Sequence, residues 1–167
     1  MTVHAGFAPA RGANLCYQVA GSGPPVVLLH GFSFDRRIWD DQMDALTPHY
    51  TVVRYDLRGF GKSPPGSTAY THADDLTAVM DHLGIERAAL VGLSLGGGAA
   101  INFAITRPER VSALVAVAPS LGGIKWSDEF VAAHAAIRSA AQGQGIHAAR
   151  ELWLGRPIFA PALANPL

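Results

Sequence analysis

The sequence predicts an α/β fold, a mostly parallel sheet flanked by helices, and three observations predict it. Short runs that are apolar at consecutive positions, such as Pro25-Val26-Val27-Leu28-Leu29-His30, fit strands buried on both faces of a parallel sheet. Amphipathic stretches of helical length separate them. The alternation of the two at this spacing implies right-handed βαβ crossovers.

The elements follow in order. Residues 2–20 read as two weak strands joined by a Pro-Ala-Arg-Gly turn, and Gly21-Ser22-Gly23-Pro24 breaks the chain before the run to His30. A helix over Asp35–Leu46 closes at Thr47-Pro48, and Thr51–Tyr55 is the next strand. Asp56–Ser67 is a loop rich in glycine and proline. Thr71 and Asp74 open a helix to Leu83, with Gly84 as its C-cap. Ala88–Leu93 is a buried strand, a helix follows to Arg107, Pro108 ends it, and Val111–Ala118 is a further buried strand. Beyond Gly122-Gly123 the character changes: Ser127–Ala141 and Ile146–Leu154 are helical, and a tail from Gly155 contains Pro157, Pro161 and Pro166. Two parts result, residues 1–122 and residues 123–167.

Composition narrows the function. With 167 residues the chain can bury a sizeable core, and its 13 basic residues balance 13 acidic ones to a formal net charge of zero. That balance provides no footprint for nucleic acid or an anionic membrane. The single cysteine, Cys16, lies in a strand-like run and reads as a buried structural thiol. No signal peptide and no apolar run of spanning length is evident, so a soluble, cytoplasmic protein is expected. Gly61-Lys62-Ser63 imitates the end of a phosphate-binding loop, but the required earlier glycine is Asp56 and Pro64-Pro65 stands where a helix should begin. The seven histidines show no ligand-like spacing, so neither metal nor cofactor is expected.

The chemistry concentrates at Gly92-Leu93-Ser94-Leu95-Gly96, a G-x-S-x-G pattern between a buried strand and a helix. A sharp turn there leaves the serine strained and its Oγ exposed, while Gly92 and Gly96 allow close backbone approach. The alternative is that the glycines only permit helix-on-sheet packing and Ser94 is an N-cap.

Here the sequence resembles the α/β-hydrolase family, from about residue 15 onward. His30-Gly31-Phe32 matches the loop after that family's third strand, and Asp56-Leu57-Arg58-Gly59-Phe60-Gly61-Lys62-Ser63 its loop after the fourth. The resemblance implies Ser94 as catalytic nucleophile and the backbone N–H groups of Phe32 and Leu95 as an oxyanion hole. It implies ordering roles for His30, Asp56 and Arg58. It also implies an acid and a histidine after Ser94 in chain order, carried on later strands. Two further βα units would take about 60 residues, at about 30 each. The chain is therefore expected to be C-terminally truncated, ending in a partial helical lid over residues 123–167. Asp128 and Glu129 are expected to cap the first lid helix, and His134 and His147 to be surface residues on lid helices.

The resulting expectation is a serine hydrolase of the esterase and lactonase branch, acting on a small-molecule acyl substrate and inactive in this form. The alternative is a noncatalytic fragment or binding module that retains the elbow. Self-association is also expected, through Val111–Ala118 as an uncharged, exposed edge strand.

Overall fold

A computed structural model describes residues 2–164; Pro166 and the rest of the tail's last three residues lie outside the described residues. Six strands form one sheet: β1 (Val3–Ala10), β2 (Ala13–Ala20), β3 (Pro25–Leu29), β4 (Thr51–Tyr55), β5 (Ala88–Leu93) and β6 (Val111–Val117). Their spatial order is β1-β2-β4-β3-β5-β6. The β1–β2 hairpin joins antiparallel, and β4, β3, β5 and β6 run parallel.

Each parallel connection carries a helix. α1 (Asp40–Leu46) links β3 to β4, α2 (His72–His82) links β4 to β5, and α3 (Leu95–Thr106) links β5 to β6. The expected helix over Asp35–Leu46 is two pieces, a 3₁₀ turn at Arg36–Trp39 and then α1. Asp35 caps that turn by accepting from the Arg37 N–H at 2.9 Å, while the Arg36 N–H is drawn to Asp56 at 2.9 Å. α2 begins where Thr71 accepts from the Asp74 N–H at 3.1 Å and is followed by Gly84 at φ +66°.

Strand alternation sorts the core into two layers. Val27, Leu29, Val53, Tyr55 and Leu90 face Leu76, Val79 and Met80 of α2 and Ala99, Ala100 and Phe103 of α3. Val26, Leu28 and Val52 face Met43 of α1 on the other side. Both faces of β3 and β4 are thus covered, which is why their sequences are apolar throughout. The Tyr55 hydroxyl is buried in the first layer without a hydrogen-bond partner. Burial pushes its pKa up, the charge of Asp75 adding to the effect.

The chain divides into two compact units, Met1–Gly122 and Gly123–Leu167. The second holds α4 (Asp128–Gly143), α5 (Ile146–Leu154), a 3₁₀ turn at Pro157–Phe159 and α6 (Ala160–Ala164). Ser127 caps α4, with Asp128 and Glu129 in its first turn. Trp126 stacks on Phe130 at 4.4 Å, and Phe130 lies 4.0 Å from the ring of His134. The guanidinium of Arg156 lies over Phe130 at 5.0 Å and Trp153 at 5.5 Å. His134 therefore packs into an aromatic row, and its Nδ1 donates to the Phe130 carbonyl at 2.9 Å. With that proton in place Nδ1 cannot also accept from Arg156, which approaches it at 3.4 Å. Among the described residues no helix is long and apolar enough to cross a membrane.

Candidate active site

Ser94 joins β5 to α3 with φ +50° and ψ −109°, outside the ordinary regions for a residue with a side chain. Its side chain makes no capping hydrogen bond to the helix. The strain is held by the backbone. The Ser94 N–H donates to the Val117 carbonyl at 2.9 Å, and its own carbonyl accepts from Gly98 and Ser120 N–H groups, both at 2.9 Å. The Ser120 hydroxyl reaches the same oxygen at 3.3 Å.

The flanking glycines have no room for a Cβ. One on Gly96 would overlap the Leu29 carbonyl oxygen and fall 2.6 Å from that of His30. One on Gly92 would fall 2.6 Å from the Gly96 carbonyl carbon. Gly98 is equally closed, by the Ser120 carbonyl. The Gly96 N–H donates to the His30 carbonyl at 3.1 Å, so the chain leaving β3 and the chain entering α3 run side by side. That contact places the segment carrying Phe32 beside the one carrying Leu95. Leu95 is the first residue of α3, where an N–H has no intrahelical acceptor and the helix dipole favours negative charge.

His30 orders this corner. It is fully buried, its Nδ1–H donates to the Gly31 carbonyl at 2.7 Å and its Nε2 accepts from the Leu57 N–H at 2.9 Å. Both ring nitrogens are committed to the neutral form, and burial holds the pKa below the usual histidine value. The Phe60 ring stands edge-on to both His30 and Phe32, with centroids 5.5 Å apart in each case. Phe32 is 49% exposed, so the rim beside the elbow is aromatic.

The loop after β4 is braced by charge. Asp56 is buried and accepts from the Arg36 guanidinium at 2.5 Å and the Lys62 N–H at 2.8 Å. Arg58 and Asp75 form an ion pair at 2.5 Å with side chains 0% and 2% exposed. Arg58 also donates to the Arg11 carbonyl at 2.8 Å and lies 4.4 Å from the Tyr70 ring centre. Ser63 accepts from the Cys16 N–H at 2.9 Å and donates to the Asp56 carbonyl at 2.7 Å. Asp56 and Arg58 are thus occupied in holding loops.

A cleft of about 300 Å³ opens beside the elbow, lined by His72, Leu95, Gly98, Asn102 and Ser120 among others. The Nδ1 of His72 is buried there without a partner, and burial lowers its pKa. A larger hollow of about 410 Å³ lies against Asp81, Ile85, Glu86 and Arg110, before the start of β5. Ligands of parallel α/β sheets bind at the carboxyl ends of strands, and the smaller cleft lies at that end, reaching the elbow through Leu95 and Ser120. Sequence reading did not find Ser120 as a neighbour of the elbow, nor His72 in the lining of the cleft. The only signal for Ser120 was the run of glycines at 96–98, whose need becomes visible once Ser120 is seen against Gly98. Among the described residues no cluster of His, Cys, Asp and Glu could hold a metal ion.

Comparison with known proteins adds relatives to this geometry. A pimeloyl-[acyl-carrier protein] methyl ester esterase of Vibrio campbellii is 39% identical over 110 residues, 64% of this chain and 41% of that one. The dihydrolipoyllysine-residue acetyltransferase component of the acetoin cleaving system of Cupriavidus necator is 40% identical over 117 residues, 68% of this chain and 31% of that one. The crystal structure of the enol-lactonase from Burkholderia xenovorans superposes with a TM-score of 0.78 at 29% identity, covering 90% of this chain and 59% of that one. The chain thus spans less than half the length of these two curated relatives. The strained serine, the closed glycines around it and a family model for the alpha/beta hydrolase fold that matches residues 24–144 agree: this chain belongs to the alpha/beta hydrolase fold family.

Proposed function

We propose that the chain carries the nucleophile of a cytoplasmic serine hydrolase that acts on an ester, lactone or related small-molecule acyl compound without a cofactor. The observation that carries this reading is the φ of +50° at Ser94, held by backbone bonds while the side chain makes no cap. Strain of this kind costs about 1–3 kcal/mol and persists where the fold over-determines it. Esterase and lactonase relatives support the acyl chemistry. Ser94 Oγ attacks the substrate carbonyl carbon as its proton passes to a base, and the N–H groups of Phe32 and Leu95 receive the charge on oxygen. Collapse expels the alcohol and leaves an acyl-serine, which water then hydrolyses.

His30 is committed on both ring nitrogens and so is no base for Ser94, and slow turnover by the 167 residues is the expected outcome. Oxyanion stabilisation and binding without a complete triad still leave about 10³–10⁴-fold over water. Incubation with an aryl phosphonate and peptide mass spectrometry tests the assignment. Slow adduct formation on Ser94 in preference to Ser33, Ser63 and Ser120, absent in Ser94→Ala, is expected. Indiscriminate labelling of serines would remove Ser94 from the nucleophile role. Aryl-ester turnover at the rate of a complete esterase would show instead that a base is present within the chain.

A further inference from the structure

The donors gathered on the Ser94 carbonyl have a use beyond holding the turn. In a trans peptide the carbonyl of one residue and the N–H of the next point in opposite directions, and no peptide bond among the described residues is cis. The Ser94 carbonyl and the Leu95 N–H belong to one such unit, so whatever fixes the carbonyl also aims the N–H. One donor is the Gly98 N–H at 2.9 Å, a bond that any α-helix supplies to the residue before its first turn. The other two both come from Ser120, its N–H at 2.9 Å and its hydroxyl at 3.3 Å.

Ser120 is brought there by local strain and a closed glycine. Ala118 takes φ +42° as the chain leaves β6, a rotation unfavourable for a residue with a side chain. A Cβ on Gly98 would overlap the Ser120 carbonyl and fall 3.1 Å from its hydroxyl, so only glycine there admits Ser120 to the helix. Backbone outliers of this kind gather at functional sites, where the surrounding structure over-determines them.

We propose that Ser120 is a positioning residue for acyl transfer at Ser94, an inference that rests on the proposed function. Its N–H and hydroxyl direct the Leu95 N–H at the developing oxyanion and strengthen it as a donor. Donors on a carbonyl draw electron density through the amide toward oxygen, which leaves the N–H of the same unit more positive. Hydrogen bonds coupled in this way strengthen by about 10–30% per bond. Loss of a whole oxyanion donor costs about 10²–10³-fold in rate, and that fraction of it on a logarithmic scale is about two- to eightfold. The hydroxyl exerts this effect through the Leu95 amide and not on the substrate.

Ser120→Ala keeps the backbone N–H and removes the hydroxyl, and Ser120→Thr returns one. The probe is an aryl phosphonate acting on the 167-residue chain. Ser94 Oγ bonds to phosphorus, the aryloxide departs and the serine proton passes to solvent, while the phosphoryl oxygen takes the place of the substrate's carbonyl oxygen. In Ser120→Ala the limiting rate of adduct formation on Ser94 should fall about two- to eightfold, with the half-saturating concentration unchanged. Ser120→Thr should restore most of it. Nuclear magnetic resonance of the same chains needs no reagent: the Ser94 carbonyl carbon and the Leu95 amide nitrogen should shift in Ser120→Ala and return in Ser120→Thr. Circular dichroism establishes that each variant folds. Resonances that stay in place overturn the proposal, and so does an adduct rate that is the same in all three chains. A rate lost equally in Ser120→Ala and Ser120→Thr assigns the effect to packing and overturns it too. If no chain forms a Ser94 adduct while the resonances still shift, the proposed function itself fails, and the catalytic use of Ser120 fails with it.

Discussion

The two turns that shape the site are rigid for opposite reasons. The loop after β4 is held by side chains: Asp56, Arg58, Ser63 and Asp75 are all buried and all hydrogen-bonded. The elbow after β5 is held by the lack of them, because Gly92, Gly96 and Gly98 let carbonyls of β3, α3 and Ser120 close in until backbone bonds fix Ser94. The first kind of rigidity depends on paired charge and is exposed to loss of one partner. The second depends on space and is exposed to a single added methyl.

The largest effect should come from breaking the buried pair. Asp75→Ala leaves Arg58 charged, 0% exposed and short of its main partner, and should cost about 3–5 kcal/mol in denaturant unfolding. The double variant Arg58→Met, Asp75→Leu should recover most of that loss. A double variant as unstable as the single would mean that the packing of Arg58 against Tyr70 and the Arg11 carbonyl outweighs its charge.

Next in size is the elbow. Gly96→Ala forces a Cβ against the Leu29 and His30 carbonyls and should cost about 1–3 kcal/mol as overpacking. Gly122→Ala, where nothing lies within 4 Å, supplies the control and should move the melting temperature little. Equal shifts would remove the steric account of the elbow.

The smallest effect is a pH slope at the hinge between the two turns. His30 touches both: its carbonyl accepts from the Gly96 N–H, and its Nε2, only as the neutral ring, accepts from the Leu57 N–H. Its pKa in the folded protein lies below the ordinary 6.5. The unfolded chain therefore binds the proton more readily, and this contribution is present above about pH 6.5 and is lost as pH falls from there toward the folded value. His72 is displaced in the same direction and adds to the slope. Urea midpoints between pH 7.5 and pH 5 should fall less steeply in His30→Gln than in the unmodified chain. Identical slopes would assign the effect to His72.

Much of this was legible from local pattern. Thr51–Tyr55, Ala88–Leu93 and Ile146–Leu154 have the boundaries that their apolar runs and flanking breakers suggest. Ser94 with its glycines was legible because the pattern and the strand-to-helix context lie within one short stretch. What escaped depends on residues distant in the chain. The helix over 35–46 breaks because Arg36 is pulled to Asp56, a tertiary bond that propensity does not encode. β6 ends at Val117, one residue short of the expected end, because Ala118 takes φ +42° as the chain turns so that the next residues meet Ser94. Ser120 reaches the elbow from 26 positions away, and spacing along the chain carries no sign of it.

That reach sets an order of assembly. The carbonyl and amide of Ser94 are restrained by Val117 and Ser120, and its helix is docked by Gly96 on His30. Until β6 has folded onto β5, only the bond from Gly98 and the docking of Gly96 on His30 hold the unfavourable rotation at Ser94. A growing chain that has passed Gly96 thus has the whole sequence of its elbow but not the elbow's conformation. The serine takes its strained form late, when residues up to Ser120 have joined the sheet. It should relax early when β6 frays, with the rest of the sheet still folded.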